Sequence, residues 1–154
     1  MTLDAVDKQI VETLQRDGSL SISDLAKQLG MTPPPCWRRV NALKERGVLK
    51  GQVWLANPKS LDLNVLMIAT IKLAAHDTEV TDAFRAAVKD IPEIIECYIL
   101  LGSTDAFLKI AVPSIDYYET LFYQRISKIP GVQEVNSCVV LTEIKRTTEL
   151  PVLS

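Results

Sequence analysis

The stretch TPPPCWRRVNALKERG, residues 32–47, places three consecutive prolines in front of a basic, helical pattern. Proline is tolerated at the start of a helix because the first backbone N–H groups there have no intrahelical partner. A residue that precedes proline is pushed toward extended geometry. We therefore predict that Pro33 and Pro34 lie outside the helix and that Pro35 is its first residue. The predicted buried face consists of Cys36, Val40 and Leu43.

Two further helical patterns precede this one. The first has apolar residues at helical spacing and stops at Asp17-Gly18; its apolar residues are Leu3, Val6, Ile10 and Leu14. The second is two turns long, with Ser21 or Ser23 as N-cap and Gly30 at its C-terminal end. A short helix, a short turn and a basic helix predict a helix-turn-helix. The alternating residues 52–55 that follow predict a short strand forming a wing.

Charge is unevenly distributed along the chain. Residues 1–61 carry a formal charge of +3 and residues 62–154 a charge of −5. Such asymmetry is typical of a nucleic-acid-binding part joined to a part with another task. The N-terminal end of the basic helix is predicted to enter the major groove of double-stranded DNA, where arginine binds guanine as a fork or clamps phosphate. The candidate DNA-binding residues are Thr32, Pro33, Pro34, Arg38, Arg39, Lys44 and Arg46. Which arginine contacts bases and which contacts phosphates stays open.

The rest of the chain predicts strands and helices in the order βαββαβ. The predicted strands are 65–74, 94–101, 106–112 and 132–141, and the predicted helices lie near 79–91 and 115–129. Two segments, KDIPEIIECYI (89–99) and SKIPGVQEVNS (127–137), repeat the pattern of a helix ending at Ile-Pro before a strand. Two βαβ halves predict a ferredoxin-like domain, so the whole chain is α+β. The strands are apolar on both faces while helices cover only one, which predicts a homodimer.

A candidate ligand site lies between the second and third strands, in LLGSTDAFL, residues 100–108. The N–H groups and hydroxyls of Gly102, Ser103 and Thr104 are suited to a carboxylate, and Asp105 is suited to an ammonium group. On the residues alone, an ordinary hairpin turn is the favoured interpretation, because glycine and aspartate are common in turns for conformational reasons.

Several classes of protein and site lack support in the sequence. His76 stands in a polar loop without a second histidine, and no nucleophile elbow, phosphate loop or catalytic carboxylate pair occurs. The longest apolar run, 65–75, is interrupted by Lys72 and too short for a membrane span, and no secretory signal is seen, so we expect a cytoplasmic protein. The cysteines, Cys36, Cys97 and Cys138, are expected to be free, buried thiols. Trp37 and Trp54 are either exposed platforms for bases or partly buried packing residues, and packing is the favoured expectation for both.

The chain as a whole resembles the Lrp/AsnC (feast/famine) family of prokaryotic transcription regulators. The resemblance rests on five blocks in order: LDAVDKQIVETLQRDG, DLAKQLGMTPPPCWRRVNALKERGVLKG, NPKSLDL, EIIECYILLGSTDAFLKIAV and IPGVQEVNSCVVLTEIK. It implies a DNA-binding domain at 1–50, a hinge at 51–61 and a ligand-sensing (RAM) domain at 62–154 that forms dimers and often tetramers or octamers. No cofactor is implied.

The resemblance also implies an amino-acid effector bound near Gly102, Ser103, Thr104 and Asp105, with Val139 and Val140 close by. Pro34 stands where the family usually has a small polar residue, which removes a hydroxyl contact to phosphate. The PCW triplet and the ending EIKRTTELP are similar to a branch that includes cysteine-sensing regulators, so cysteine is one candidate effector.

Two other functions remain open at this point. A DNA-organising protein without a ligand predicts weak sequence preference and a steep dependence on salt. A metabolic enzyme built on the ferredoxin-like domain predicts turnover without DNA and no response to Arg39→Ala.

Overall fold

The computed structural model describes residues 2–75 and 77–153, so the expectation for His76 lies outside the described residues. The chain forms two compact units. One contains the residues up to Trp54 together with those from Ile144 onward, and the other is Leu55–Glu143. The predicted boundaries assigned the last residues to the second domain, whereas the structure places them with the first. The contacts responsible are long-range side-chain contacts, which periodicity does not reveal.

The first unit, here the reader unit, contains three helices: α1 (Ala5–Arg16), α2 (Ile22–Gln28) and α3 (Pro33–Glu45). Side chains cap the first two, because Asp4 accepts the N–H of Asp7 and Ser21 accepts the N–H of Asp24. Their apolar stripes meet in one core made of Ile10, Val11, Leu25, Ala26, Cys36, Val40 and Leu43. The predicted helix-turn-helix and its buried face are confirmed.

The turn between α2 and α3 depends on Gly30, whose φ is 65°. This left-handed conformation is readily available only to glycine. It allows the N–H of Met31 to donate to the carbonyl of Ala26 at 2.9 Å and the N–H of Gly30 to donate to that of Lys27 at 3.3 Å. Both bonds together form a Schellman ending, which sets the direction in which the chain enters α3.

The prediction that α3 begins at Pro35 is wrong, because the helix begins at Pro33 with Thr32 as N-cap. The first N–H that can bond within this helix is that of Cys36, which donates to the carbonyl of Thr32 at 3.4 Å. The three prolines therefore occupy the three helical positions whose N–H groups have no intrahelical acceptor. A residue before proline prefers extended geometry, but in α3 this preference is outweighed because proline loses no hydrogen bond at these three positions.

The predicted wing strand does not form: residues 51–57 contain no strand. A single extended segment needs a partner strand for its N–H and C=O groups, and none pairs with it in the described part of the chain. Three large apolar side chains here are consequently exposed: Val53, Trp54 and Leu55. Trp54 is 99% exposed, so the expectation that it packs is wrong for this chain.

The second unit, here the sensing unit, is a four-stranded antiparallel sheet with two α-helices. Its elements are β1 (Val65–Leu73), α4 (Thr78–Lys89), β2 (Ile94–Ile99), β3 (Ala106–Val112), α5 (Ile115–Gln124) and β4 (Val132–Val139), with short 3-10 helices at Pro58–Leu61 and Ile126–Lys128. The strand order is β2-β3-β1-β4. The predicted order of elements is confirmed; β1, β2 and β4 end one or two residues earlier than predicted, and β3 has the predicted bounds.

Both helices pack on one face of this sheet. The core there includes Ala69, Ile71 and Leu108 from the strands and Phe84 and Leu121 from the helices. The repeated Ile-Pro steps correspond as predicted, since both isoleucines, Ile91 and Ile129, are buried.

The opposite face of the sheet carries no helix. Alternation along the paired strands directs Thr70 and Lys72 of β1, and Glu134 and Asn136 of β4, toward it. Strand β2 lies at one edge of the sheet, and it and the residues after it expose large apolar side chains: Ile95, Tyr98, Ile99, Leu100 and Leu101. All three cysteines are free, but only Cys36 is buried, so the expectation of burial is wrong for Cys97 and Cys138.

Within residues 2–75 and 77–153, no helix combines the length and the apolarity needed to cross a bilayer.

Candidate nucleic-acid interface and ligand cavity

The exposed face of α3 presents two unpaired cations. Arg38 and Lys44 are exposed, and among the described residues neither forms an ion pair or a side-chain hydrogen bond. Arg38 lies nearly opposite the core residue Val40, whereas Lys44, one turn after Val40, lies at the border between the buried and the exposed sides of α3. Free cations at this spacing are suited to phosphate oxygens or guanine edges.

Arg39, by contrast, is held within the reader unit. Its Nη1 lies 2.7 Å from Oδ2 of Asp4 and 2.7 Å from Oδ1 of Asp7. Arg46 approaches the other oxygen of Asp7 at 3.6 Å. The Asp7 side chain is only 11% exposed, so this cluster joins the beginning of α1 to α3 from inside the unit.

Electrostatics agrees with this arrangement. The backbone N–H of Asp7 and then the guanidinium of Arg39 lower the pKa of Asp4. Hydrogen bonds to Asp4 and then Asp7 raise the pKa of Arg39. The predicted DNA contacts of Arg39 and Arg46 stay predictions, but both side chains already have acidic partners in the free chain.

The N-terminal end of α3 differs from most helix starts. A helix N-terminus normally offers backbone N–H groups to an anion. Here Pro33, Pro34 and Pro35 have none at the first three positions. Thr32 makes no capping hydrogen bond through its side chain, so its hydroxyl is available. The groups that this end of α3 exposes are therefore the Thr32 hydroxyl and the rings of Pro33 and Pro34.

Two residues outside the predicted DNA-binding set lie on the same face. Trp37 is 56% exposed, which corrects the expectation that it packs, and Asn41 is half-buried one turn further on. Their positions repeat every three or four residues with Pro34, Arg38 and Lys44, and that spacing was visible in the sequence. Asparagine can bond the edge of adenine with both its amide atoms.

A cavity of about 180 Å³ opens on the helix-free face of the sheet. Its lining residues come from β1, β4 and the loop after β2: Thr70, Ile71, Lys72, Ser103, Thr104, Glu134 and Asn136. At ~30 Å³ per water molecule in the liquid, this space matches about six waters, which is the scale of a single small amino acid. The predicted residues Ser103 and Thr104 are therefore at a cavity.

Opposite charges face each other across the strands of this cavity. Lys72 of β1 is the register partner of Glu134 of β4. Both are exposed, and in the described part of the chain neither belongs to an ion pair. Sequence reasoning missed both, because their proximity follows from a pairing of strands about sixty positions apart.

The remaining predicted effector residues do not line the cavity. Asp105 Oδ2 accepts the N–H of Leu73 at 2.8 Å, and the N–H of Asp105 donates to the carbonyl of Ile71 at 2.8 Å, so this residue fastens the loop to β1. Gly102 is exposed beside the cavity. Val139 pairs with Met67, and the N–H of Val140 donates to the carbonyl of Leu66, toward the other end of β1.

Comparison with known proteins covers both units. Residues 3–50 match the family model described as winged helix-turn-helix DNA-binding, and residues 66–150 match the Lrp/AsnC ligand binding domain. The leucine-responsive regulatory protein of Salmonella typhimurium is 36% identical over 148 residues, which are 96% of this chain and 90% of that protein.

Solved structures agree over nearly the full length. An AsnC family transcriptional regulator from Agrobacterium tumefaciens superimposes with a TM-score of 0.92 at 36% identity, covering 97% of each chain. A transcriptional regulator from Neisseria meningitidis, solved as a complex with L-Met, gives a TM-score of 0.93 at 30% identity, again covering 97% of each chain.

Proposed function

Since the chain belongs to the Lrp/AsnC family of DNA-binding transcription regulators, we propose that α3 reads a specific operator and that an amino acid bound in the sheet cavity changes its assembly or DNA affinity. The proposal depends on one observation: in each unit, charged side chains at the candidate site have no ion-pair partner among the described residues. Arg38 and Lys44 are free cations on α3, and Lys72 and Glu134 are opposite charges at one cavity.

The DNA part of the proposal assigns different tasks to neighbouring arginines. Arg38 and Lys44 contact phosphates or base edges, because no acidic partner competes for them in the described residues. Arg39 mainly fixes the angle at which α3 is presented, since both of its partners lie at the beginning of α1. The protein acts where the DNA is, which in a prokaryotic cell is the cytoplasm.

Arg38→Ala and Lys44→Ala are each expected to reduce DNA affinity several-fold. If the side chain contacts a phosphate, the slope of log affinity against log salt also falls by about one. A base contact instead costs discrimination among operators, by about 1–3 kcal/mol. Fluorescence anisotropy of a labelled duplex over a salt series separates these cases.

Lys89→Ala is the matched control for charge, because Lys89 is exposed on α4 of the sensing unit. Wild-type affinity and slope for both α3 variants would contradict the assignment of α3 as reader.

The effector part rests on the chemistry of the cavity. Lys72 is suited to the α-carboxylate of an amino acid, together with the hydroxyls of Ser103 and Thr104. Glu134 is suited to the ammonium group, a role predicted for Asp105, whose Oδ2 instead accepts a backbone N–H. Which side chain the effector carries is not specified by these groups, so leucine, methionine and cysteine are all candidates.

Glu134→Gln is expected to weaken binding of the effector about tenfold, because a charge-assisted hydrogen bond to the ammonium group becomes a neutral one. Isothermal titration calorimetry with L-leucine, L-methionine and L-cysteine measures this directly. Glu79→Gln on α4 removes an equal charge far from the cavity lining and is the control. Equal affinity in Glu134→Gln and Glu79→Gln would remove Glu134 from the site.

We also propose that the chain assembles as a homodimer and further to a tetramer or octamer. Support comes from the exposed apolar residues of β2 and of the segment after it, which include Tyr98, Ile99 and Leu101. Contiguous exposed apolar surface marks an interaction site, and symmetric dimers fit paired operator half-sites ~10 bp apart. Multi-angle light scattering gives the assembly with and without the effector.

The decisive experiment is anisotropy of a labelled duplex from the gene's own upstream region against a scrambled duplex, with each protein amino acid added in turn. Selective binding that one amino acid shifts 5- to 150-fold is the expected result. Equal binding to both duplexes without an amino-acid response would favour a ligand-free DNA-organising protein.

A further inference from the structure

The last residues of the chain dock on α1 of the reader unit. Gln15 bonds the backbone of Leu150 twice: its Nε2 donates to the carbonyl at 3.0 Å, and its Oε1 accepts the N–H at 2.7 Å. The Nε of Arg16 donates to Oε1 of Glu149 at 2.8 Å. Beyond them, Val152 is half-buried against the reader core. Residues 147–152 are called the C-terminal strap.

The amide of Gln15 donates one hydrogen bond to the Leu150 backbone and accepts one from it. Two residues of adjacent β-strands form the same pair of hydrogen bonds through their backbones. The Gln15 amide therefore selects a peptide backbone in extended form and fixes its position along α1. The apolar contact of Val152 adds an anchor at the core. Gln15 and Leu150 are 135 positions apart in the sequence, so the docking of the strap is a tertiary contact and not a product of local turn formation.

The strap is the direct continuation of the strand that lines the cavity. Strand β4 carries Glu134 and Asn136 and ends at Val139, and about ten residues later the chain reaches Glu149. The two units are thus joined by two chain connections, one after Trp54 and one before Ile144. The first lies in the hinge, whose large side chains are exposed, whereas the second follows β4, which carries two cavity residues, and leads to the strap.

Helix α1 is also the helix that holds α3. Asp7 near its start bonds Arg39, and Gln15 and Arg16 at its end bond the strap. A rigid helix transmits a displacement from one end to the other, because its hydrogen-bonded backbone does not compress. Exposed ion pairs and single hydrogen bonds contribute modestly, so a docked strap is able to release.

We infer that the C-terminal strap is the element through which the effector acts on the reader unit: binding at β4 changes whether the strap is docked on α1. This inference rests on the proposed function. It requires two states that differ in strap docking and an effector that binds them unequally.

The test uses the full-length double variant Gln15→Ala/Val152→Ser. The variant is expected still to bind the amino acid that shifts wild-type DNA binding, taken from L-leucine, L-methionine and L-cysteine. Because that amino acid binds the docked and undocked states unequally, its affinity is expected to take the value of the undocked state and to differ from the wild type by no more than the coupling factor. The effect of that amino acid on DNA affinity is expected to fall from the wild-type factor to less than about twofold. The control Gln9→Ala/Leu153→Ser changes exposed neighbours of the same types and is expected to retain wild-type coupling.

Hydrogen exchange supplies a readout that does not depend on DNA. The Leu150 amide, which donates to Gln15, is expected to exchange slowly in the wild type and fast in the double variant. The inference about the strap would be contradicted if the amino acid shifted DNA affinity in the double variant as much as in the wild type. Rapid exchange of the Leu150 amide in the wild type would also contradict it. If the Leu150 amide is protected but no amino acid shifts wild-type DNA binding, the proposed function is wrong. The strap then docks on α1 but does not carry an effector signal to the reader unit.

Discussion

Replacing Gly131 by alanine is expected to destabilise the sensing unit by about 3 kcal/mol. The φ of Gly131 is 79°, a left-handed conformation that costs a residue with a Cβ about 1–2 kcal/mol. The added Cβ would also overlap a methyl group of Val80 on α4, and overpacking of this kind costs about 1–3 kcal/mol. Together the two costs are on the order of 3 kcal/mol.

The position explains why this cost reaches function. Gly131 stands just before β4, and its carbonyl accepts the N–H of Ala74 at 2.8 Å. Relief of the overlap moves either α4 or the start of β4, and β4 carries Glu134 and Asn136 of the cavity. We therefore expect weaker effector binding in addition to lower stability.

Urea unfolding followed by circular dichroism measures the loss of stability, and calorimetry measures the effector affinity. Gly51→Ala is the control, because its φ is not left-handed and no atom lies within 4 Å of the added Cβ. A stability of Gly131→Ala equal to that of Gly51→Ala would show that the chain at Gly131 rearranges without cost.

Replacing Arg39 by alanine is expected to lower the stability of the reader unit by about 2 kcal/mol. The change leaves the nearly buried Asp7 with Arg46 alone, at 3.6 Å. Breaking a fully buried pair costs about 3–5 kcal/mol and an exposed pair at most about 1 kcal/mol. An arginine that is 36% exposed lies between these limits.

The adjacent Arg38→Ala is the matched comparison. Arg38 is exposed and unpaired among the described residues, so its loss is expected to change stability by less than about 0.5 kcal/mol while weakening DNA binding. Urea unfolding is expected to show the larger loss of stability in Arg39→Ala, and DNA anisotropy is expected to show the direct loss of a DNA contact in Arg38→Ala. An Arg39→Ala chain of unchanged stability and strongly reduced DNA affinity would restore Arg39 as a direct reader.

Acid titration adds a second readout for the same cluster. Folding lowers the pKa of Asp4 below its usual value of 3.8, through the Asp7 N–H and then Arg39. The stability that this ionised carboxylate contributes is fully present above the unfolded pKa and is lost as the pH falls through the lowered folded pKa. Arg39→Ala brings the folded pKa of Asp4 closer to 3.8, so the variant is expected to lose less stability than the wild type as the pH falls below 3.8.

Sequence reasoning predicted the features that depend on residues close together in the chain and mispredicted several that depend on contacts between distant residues. The helices of the reader unit and the βαββαβ order follow from apolar spacing, caps and turn residues, all within about four positions of one another. The start of α3 was misplaced because a local preference before proline competed with the fit of three prolines into unpaired positions. Burial of Trp54 and Cys138 was mispredicted because exposure depends on what the fold leaves uncovered.

The candidate sites divide in the same way. The amino-acid pattern alone specifies a basic α3, a loop of small polar residues after β2 and an α+β chain of two parts, since each is a property of neighbouring residues. Folding in three dimensions separates Arg38 from Arg39, places Glu134 rather than Asp105 at the cavity and brings the last residues to Gln15. These outcomes depend on which distant side chains meet, and periodicity along a chain carries no information about that.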